Sequence, residues 1–198
     1  MGEVENPMLA VHALTPGRWD DFVRLCAQMG SNRTCWCMWW RDDGRPPEKP
    51  ARERAHALVA ASPVPIGVIA YDGDEPVGWA ALAPRPEYPR LNRSRTTAPV
   101  DASPGVWVVP CFFVVPSHRQ QGVSAALLSR AVALAQSHGA TIVEGVPGDP
   151  ATRVRTPGAS YTGTLALFRN AGFEEVARRT PKGRVVVRKR LTSTPAKS

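Results

Sequence analysis

Two short stretches of the chain concentrate the side chains able to do chemistry. Cys35 to Arg41 reads CWCMWWR, with two thiols, three tryptophans, a methionine and an arginine. Cys111 to Ala135 reads CFFVVPSHRQQGVSAALLSRAVALA, an apolar run that passes through a polar turn into a second apolar segment. Thiols in the first stretch raise three chemistries: metal binding, redox pairing and nucleophilic attack. A structural zinc site takes ligands in closely spaced pairs of the C-x-x-C type. Cys35 and Cys37 have one residue between them and no second pair follows, so no metal is predicted. The same spacing strains a disulfide ring, which argues against a redox pair within the stretch. The tryptophans and Arg41 then read in two ways, as the wall of a pocket or as packing of a link onto a sheet, and both stand.

The second stretch has the form of an anion seat. A strand runs through a tight turn into a helix that begins at Gly122, Val123, Ser124 and Ala125, and the first amides of a helix lack partners inside it. Gly122 lets the backbone approach a ligand, Ser124 and Ala125 leave room, and Arg119 adds a charge. Each charge–dipole contact there is worth about 0.3–1 kcal/mol.

These segments must be positioned by regular elements. The sequence predicts a strand over 8–14, a helix opening at Thr15 and Pro16 and running to about Met29, and a Gly30-Ser31-Asn32 terminator. A helix is predicted over 51–61, then a hairpin of 66–71 and 77–83 about a turn at Asp72-Gly73-Asp74. A basic loop follows, Pro84 to Pro104, and a strand over 106–115 interrupted by Pro110, where proline marks an edge or a bulge. A helix is expected over 123–138 with Leu127, Leu128, Ala131 and Leu134 facing inward. A buried strand over 141–146, a helix over 164–171 and strands over 173–178 and 184–190 complete the order. This alternation predicts an α+β fold built on one continuous sheet, with residues 1–191 as a single domain and a disordered tail over 192–198.

Composition sets outer bounds. The chain has 198 residues, 43% hydrophobic and 21% charged, with 20 prolines and a net charge of +8. It is long enough for one sizeable core. It holds no long apolar run, and the N-terminal MGEVENPM carries glutamates where a signal peptide carries basic residues, so a cytoplasmic protein with reduced thiols is expected. The positive charge suits acidic partners, yet the arginines are scattered and no nucleic-acid-binding signature is present, which favours a phosphate-rich small ligand. Neither nucleic acid nor membrane is an expected partner.

Arg119-Gln120-Gln121-Gly122-Val123-Ser124, preceded by Val114-Val115-Pro116, resembles the central motif of the GCN5-related N-acetyltransferase (GNAT) family, Arg/Gln-x-x-Gly-x-Gly/Ala, with serine in the last position. Gly78-Trp79-Ala80 and LFRNAGF, from Leu167 to Phe173, resemble flanking signatures of that family. The resemblance spans about Leu9 to Leu191. It implies a GNAT fold (α/β/α, a mostly antiparallel mixed sheet with splayed central strands) that takes acetyl-CoA as cofactor. The pantetheine arm would add to the backbone of Phe112, Phe113 and Val114. The pyrophosphate would sit on the amides of Gln120, Gln121, Gly122, Val123, Ser124 and Ala125.

The implied reaction is direct attack of a small-molecule or peptide amine on the thioester in a ternary complex. The alternative is a non-catalytic module that binds CoA or another nucleotide. For proton transfer, Glu144 inside the apolar strand TIVEGVP is the expected base, against the plainer reading of a carboxylate paired to arginine. The family's usual acid is a tyrosine where this chain has Phe168, so Tyr161 is the nearest phenol for the role. Cys111 could take the acyl group covalently, although direct transfer is the family's habit. The resemblance also places Trp36, Trp39, Trp40 and Arg41 beside the acceptor, where tryptophan faces would hold an amine and Arg41 a carboxylate. The last two strands could pair across a homodimer.

Overall fold

The computed structural model describes residues 9–30, 34–148, 161–181 and 184–192. Ser31 and Asn32 of the first terminator, most of the loop after Gly148, the N-terminal MGEVENPM and nearly all of the tail lie outside the described residues. Strand β1 (Leu9–Ala13) leads through a 3-10 turn into α1 (Trp19–Ala27). Helix α2 (Ala51–Ala61) follows, then the hairpin β2 (Gly67–Asp72) and β3 (Glu75–Ala81). The basic segment holds more order than a loop: β4 (Ala83–Pro84), a 3-10 turn and the short helix α3 (Pro89–Arg93). Next come β5 (Val106–Val109), β6 (Phe112–Val114), α4 (Val123–Ser137), β7 (Ile142–Gly145), α5 (Leu165–Asn170), β8 (Glu174–Ala177) and β9 (Val186–Arg190).

The predicted continuous sheet is in fact two. One has the order β1-β2-β3-β6 and the other β4-β5-β7-β9-β8. The break falls at Pro110-Cys111, inside the run expected to be one strand. Proline has no N–H to donate, so the ladder cannot run through it, and the chain changes sheets there. Upstream, β5 pairs parallel with β7, Val108 opposite Glu144. Downstream, β6 pairs antiparallel with β3, Phe113 opposite Trp79. Strand β6 is therefore an edge, with no strand among the described residues on its other side.

The main core gathers the inner faces of α1, α4 and both sheets, including Phe22, Trp79, Leu127, Leu128, Val143 and Phe168. Leu127, Leu128, Ala131 and Leu134 of α4 are all buried, as their helical spacing requires. A smaller cluster of Trp40, Ala83, Tyr88, Leu91, Val108 and Val146 packs under the basic segment, and Cys111 touches both.

Candidate functional site

The turn after β6 has the backbone of an anion cradle. Gln120 (φ 62°) and Gly122 (φ 81°) are both left-handed, and Gly122 is the N-cap of α4. For Gly122 this conformation costs nothing, whereas an L side chain there is strained. The Gly122 carbonyl accepts from the amides of Ala125 (2.9 Å) and Ala126 (3.0 Å), so helical bonding begins there. The amides before Ala125 precede the first helical donor, and the Ala125 amide itself is already engaged. Ser124 is half-buried, and Val123 is buried and turned toward β3. Arg119 curls back, its Nε donating to the Val114 carbonyl at 3.2 Å. Its charge thus sits at the end of the open strand edge. Phe112 and Phe113 are buried and Val114 half-buried.

On the far side of Cys111 opens a cavity of about 790 Å³, and Cys35, Cys37, Trp39, Trp40, Cys111 and Tyr161 are among its walls. That volume suits a drug-sized ligand. Trp39 and Trp40 stand in its wall, whereas Trp36 and Arg41, expected beside them, do not line this cavity. Trp36 stacks on Trp19 with ring centroids 5.8 Å apart. Arg41 is ion-paired with Glu87 and lies over the Tyr88 ring at 4.8 Å. Each tryptophan of the stretch also carries an arginine: Arg52 over Trp36, Arg90 over Trp39 at 3.9 Å and Arg184 over Trp40 at 5.2 Å. Those faces are already in cation–π contact, so a ligand meets the remaining faces and edges. Trp39, 54% exposed, offers the most.

Trp36 (φ 49°) and Cys37 (φ 55°) are consecutive non-glycine residues in the left-handed region, which costs each of them free energy. The double turn drives the Cys37 side chain inward, where it is 8% exposed yet reaches the cavity. Its sulfur lies 3.9 Å from that of Cys111 and accepts a hydrogen bond of 3.0 Å from Trp79 Nε1. The Cys111 thiol lowers the Cys37 pKa; burial opposes this, while the Trp79 N–H and the Arg41 charge reinforce it. Cys111 is pushed the other way, by Cys37 itself and by burial. Burial, helped by the neighbouring Cys37 and Cys35, pushes Cys26 up. Sequence reading missed this pairing, because the partner of Cys37 is not its near neighbour Cys35 but a residue far along the chain.

Glu144 is not placed for proton transfer. It is fully buried, and its two oxygens are held by Arg85 and by Arg188 Nε at 2.5 Å. Arg188 also binds Asp101 at 2.6 Å, and Arg85 donates to the Thr97 carbonyl. The carboxylate reaches neither the cavity nor solvent, so the expectation of a base is corrected to the centre of an ion cluster. A buried charge demands such partners.

Tyr161 does line the cavity, with its ring stacked on Phe113 and its hydroxyl donating to the Met29 carbonyl at 3.1 Å. That proton is engaged by the protein. Phe168 is fully buried, edge-on to Phe112 and Phe173. It packs so tightly over Gly145 that a Cβ there would fall 2.2 Å from its ring. The position where a tyrosine was expected is thus an apolar plug between β6, β7 and α5. Among the described residues no group of His, Cys, Asp and Glu could hold a metal ion, and no helix is long and apolar enough to cross a membrane.

A family model described as the acetyltransferase (GNAT) family matches residues 30–154. Among solved structures, a GCN5-related N-acetyltransferase from Kribbella flavida is similar at 17% identity, covering 93% of this chain and 99% of that one with a TM-score of 0.54. The protein yncA of Salmonella typhimurium, solved with acetyl-CoA, is similar at 13% identity, covering 96% and 97% with a TM-score of 0.55. The aminoglycoside acetyltransferase AAC(6')-Ib, solved with coenzyme A, is similar at 18% identity, covering 92% and 94% with a TM-score of 0.56. No curated protein matches the chain. These neighbours share its fold, and the family match takes in the thiol stretch, the crossing and the glycine turn: the chain belongs to the GNAT acetyltransferase family.

Proposed function

We propose that this protein binds acetyl-CoA along β6 and the α4 turn, and transfers the acetyl group to the amine of a small molecule or peptide held in the cavity beyond Cys111. The observation that carries this is the continuity of three features. The open edge of β6 can accept an extended pantetheine arm as a further strand. It leads to the left-handed Gly122 turn and the open amides before Ala125, which suit a pyrophosphate. At its other end, β6 meets the cavity at Cys111. Cofactor and acceptor would then approach the Pro110–Cys111 crossing from two sides. Solved neighbours of the same fold hold acetyl-CoA or coenzyme A, which supports the cofactor.

Arg119 would meet the phosphates, and Gln120, Gln121, Gly122, Val123 and Ser124 would present backbone to them. Trp39, Trp40 and Tyr161 would contact the acceptor, in a wall that also carries Asp42 paired with Arg54, and Glu48, Lys49 and Arg184. A domain spanning residues 1–191 and a cytoplasmic setting are part of the same proposal. The second reading, a module that binds CoA without transfer, draws on Phe168, which removes the expected acid.

Calorimetry with acetyl-CoA, desulfo-CoA and ATP tests the cofactor. Acetyl-CoA and desulfo-CoA should bind in the micromolar range and ATP weakly, and Gly122→Glu should abolish binding by straining the turn and placing a carboxylate on the seat. Absence of binding by either CoA species defeats the proposal. Binding without acetylation across an amine panel favours the second reading.

A further inference from the structure

We propose that Cys37 and Cys111 are an oxidation site: hydrogen peroxide joins them in a disulfide, and the bond shuts down acceptor turnover until a dithiol reduces it. The chemistry at sulfur is independent of the acetyltransferase reading above, whereas its effect on turnover rests on that reading.

Distance and access single out this pair. The two sulfurs lie 3.9 Å apart. A disulfide holds them at about 2.05 Å, so an approach of about 2 Å closes the bond. Cys37 belongs to the link between α1 and α2, and Cys111 to the crossing between β5 and β6, so neither has to move out of a helix or a strand. Both line the cavity of about 790 Å³, and a molecule as small as a peroxide reaches them there although Cys37 is only 8% exposed. The other thiols are worse partners. Cys26 is fully buried and outside the cavity wall, and one residue separates Cys35 from Cys37, a spacing that strains the ring. Redox-sensing cysteines are accessible, low in pKa and set beside a second thiol that resolves the first oxidation product. The Cys37 pKa is lowered, by the contact with Cys111 first and by the Trp79 N–H, against burial. Cys111 adjoins β6, the strand that would carry the pantetheine arm, and Cys37 is followed by Met38, Trp39 and Trp40 of the cavity wall. A bond between the two ties that wall to the crossing, in the place where thioester and amine would have to meet.

The oxidation balances in two steps. Cys37, as its thiolate, attacks one peroxide oxygen; a sulfur–oxygen bond forms, the oxygen–oxygen bond breaks, and the departing hydroxide takes up the proton that Cys37 shed and leaves as water. Cys37 is then a sulfenic acid, oxidised by two electrons that the peroxide has accepted. The Cys111 sulfur attacks the Cys37 sulfur; the sulfur–sulfur bond forms, the sulfur–oxygen bond breaks, and the hydroxyl leaves with the Cys111 proton as a second water. Two thiols and one peroxide thus give one disulfide and two waters. Dithiothreitol reverses the bond by thiol–disulfide exchange and is itself oxidised. In a reducing compartment such a bond is transient, which suits a switch.

Reduced full-length protein is treated with hydrogen peroxide, unreacted thiols are blocked with N-ethylmaleimide in denaturant, and the unreduced digest is mapped by mass spectrometry with fragmentation to separate Cys35 from Cys37. Acetylation of an amine panel is measured before oxidation, after it and after dithiothreitol. The expected map links Cys37 to Cys111 within one chain and finds Cys26 and Cys35 blocked by maleimide. Turnover should fall about 10²-fold, the scale of a misplacement of about 1 Å at a reacting centre, and return with dithiothreitol. Cys35→Ser should retain the link and Cys111→Ser should lose it. A link between chains, a link to Cys35, a sulfinic acid on Cys37 in place of the bond, or thiols left intact overturns the proposal, as does a Cys37–Cys111 bond that leaves turnover unchanged. Those outcomes leave the acetyltransferase reading standing. Formation of the bond in a protein that, when reduced, acetylates no amine of the panel defeats that reading and the control of turnover with it. The wild-type map needs no variant, so a misfolded Cys111→Ser does not spare the proposal.

Discussion

Two buried polar clusters flank the point where the chain changes sheets, and they are built in opposite ways. Before the crossing, opposite Val108, Glu144 is enclosed by Arg85 and Arg188 with no opening to the cavity. After it, Cys37 and Cys111 face each other across 3.9 Å with the cavity beside them. In the first, every charge is matched by charge and the group has nothing left to give. In the second, the Cys37 sulfur accepts from the Trp79 N–H, lies beside the Cys111 sulfur and still meets open space. Burial of a titratable group does not by itself mark chemistry; burial with a free approach does.

The comparison breaks first at Glu144. Replacing it by Gln leaves the Arg85 guanidinium buried without a counter-charge and Arg188 with Asp101 alone, and the chain should lose about 3–5 kcal/mol of stability, read from the midpoint of urea unfolding. A variant of full stability with lost turnover would instead return Glu144 to the chemistry. The contrast sharpens at Cys37. The Cys37 pKa is lowered from that of an ordinary thiol, by Cys111 and the Trp79 N–H, whereas that of Cys26 is raised by burial. Iodoacetamide should still alkylate Cys37 as pH falls toward neutrality, while Cys26 stays inert, and acetyl-CoA should protect it. Equal labelling of Cys37 and Cys26 would deny that the surroundings of Cys37 favour its thiolate over that of Cys26.

The smallest effect lies at the edge of the ion cluster. Arg188 holds the exposed Asp101 carboxyl below the usual carboxylate range. Its folded pKa is lower than its unfolded one, so its contribution is present above about pH 4 and is lost as pH falls further. Asp101→Asn should therefore flatten part of the acid limb of a stability–pH profile, and an unaltered slope would show that the pair contributes nothing measurable.

Much of this was legible beforehand. Helix α2 falls on its predicted residues, and the hairpin and α4 fall within a residue or two, because apolar periodicity and the Asp72-Gly73-Asp74 turn are local signals. Gly122 read as the approach point of a helix start, and it is left-handed there. Short elements in the basic segment escaped notice, since α3 buries only Leu91 and shows no period. Trp36 and Trp39 looked equivalent in sequence; one stacks on Trp19 and the other lies open, a difference made by the positive φ angles between them.

The sequence by itself determined where the chain must turn, which faces are apolar and where an anion could rest, since dihedral preference and side-chain period act over a few residues. Only the tertiary structure decided which buried groups meet. The partners of Glu144 are Arg85 and Arg188, and the partner of Cys37 is Cys111. All are joined across long loops by sheet register and by a proline that sends one strand into two sheets, and contacts of that range leave no trace in local spacing.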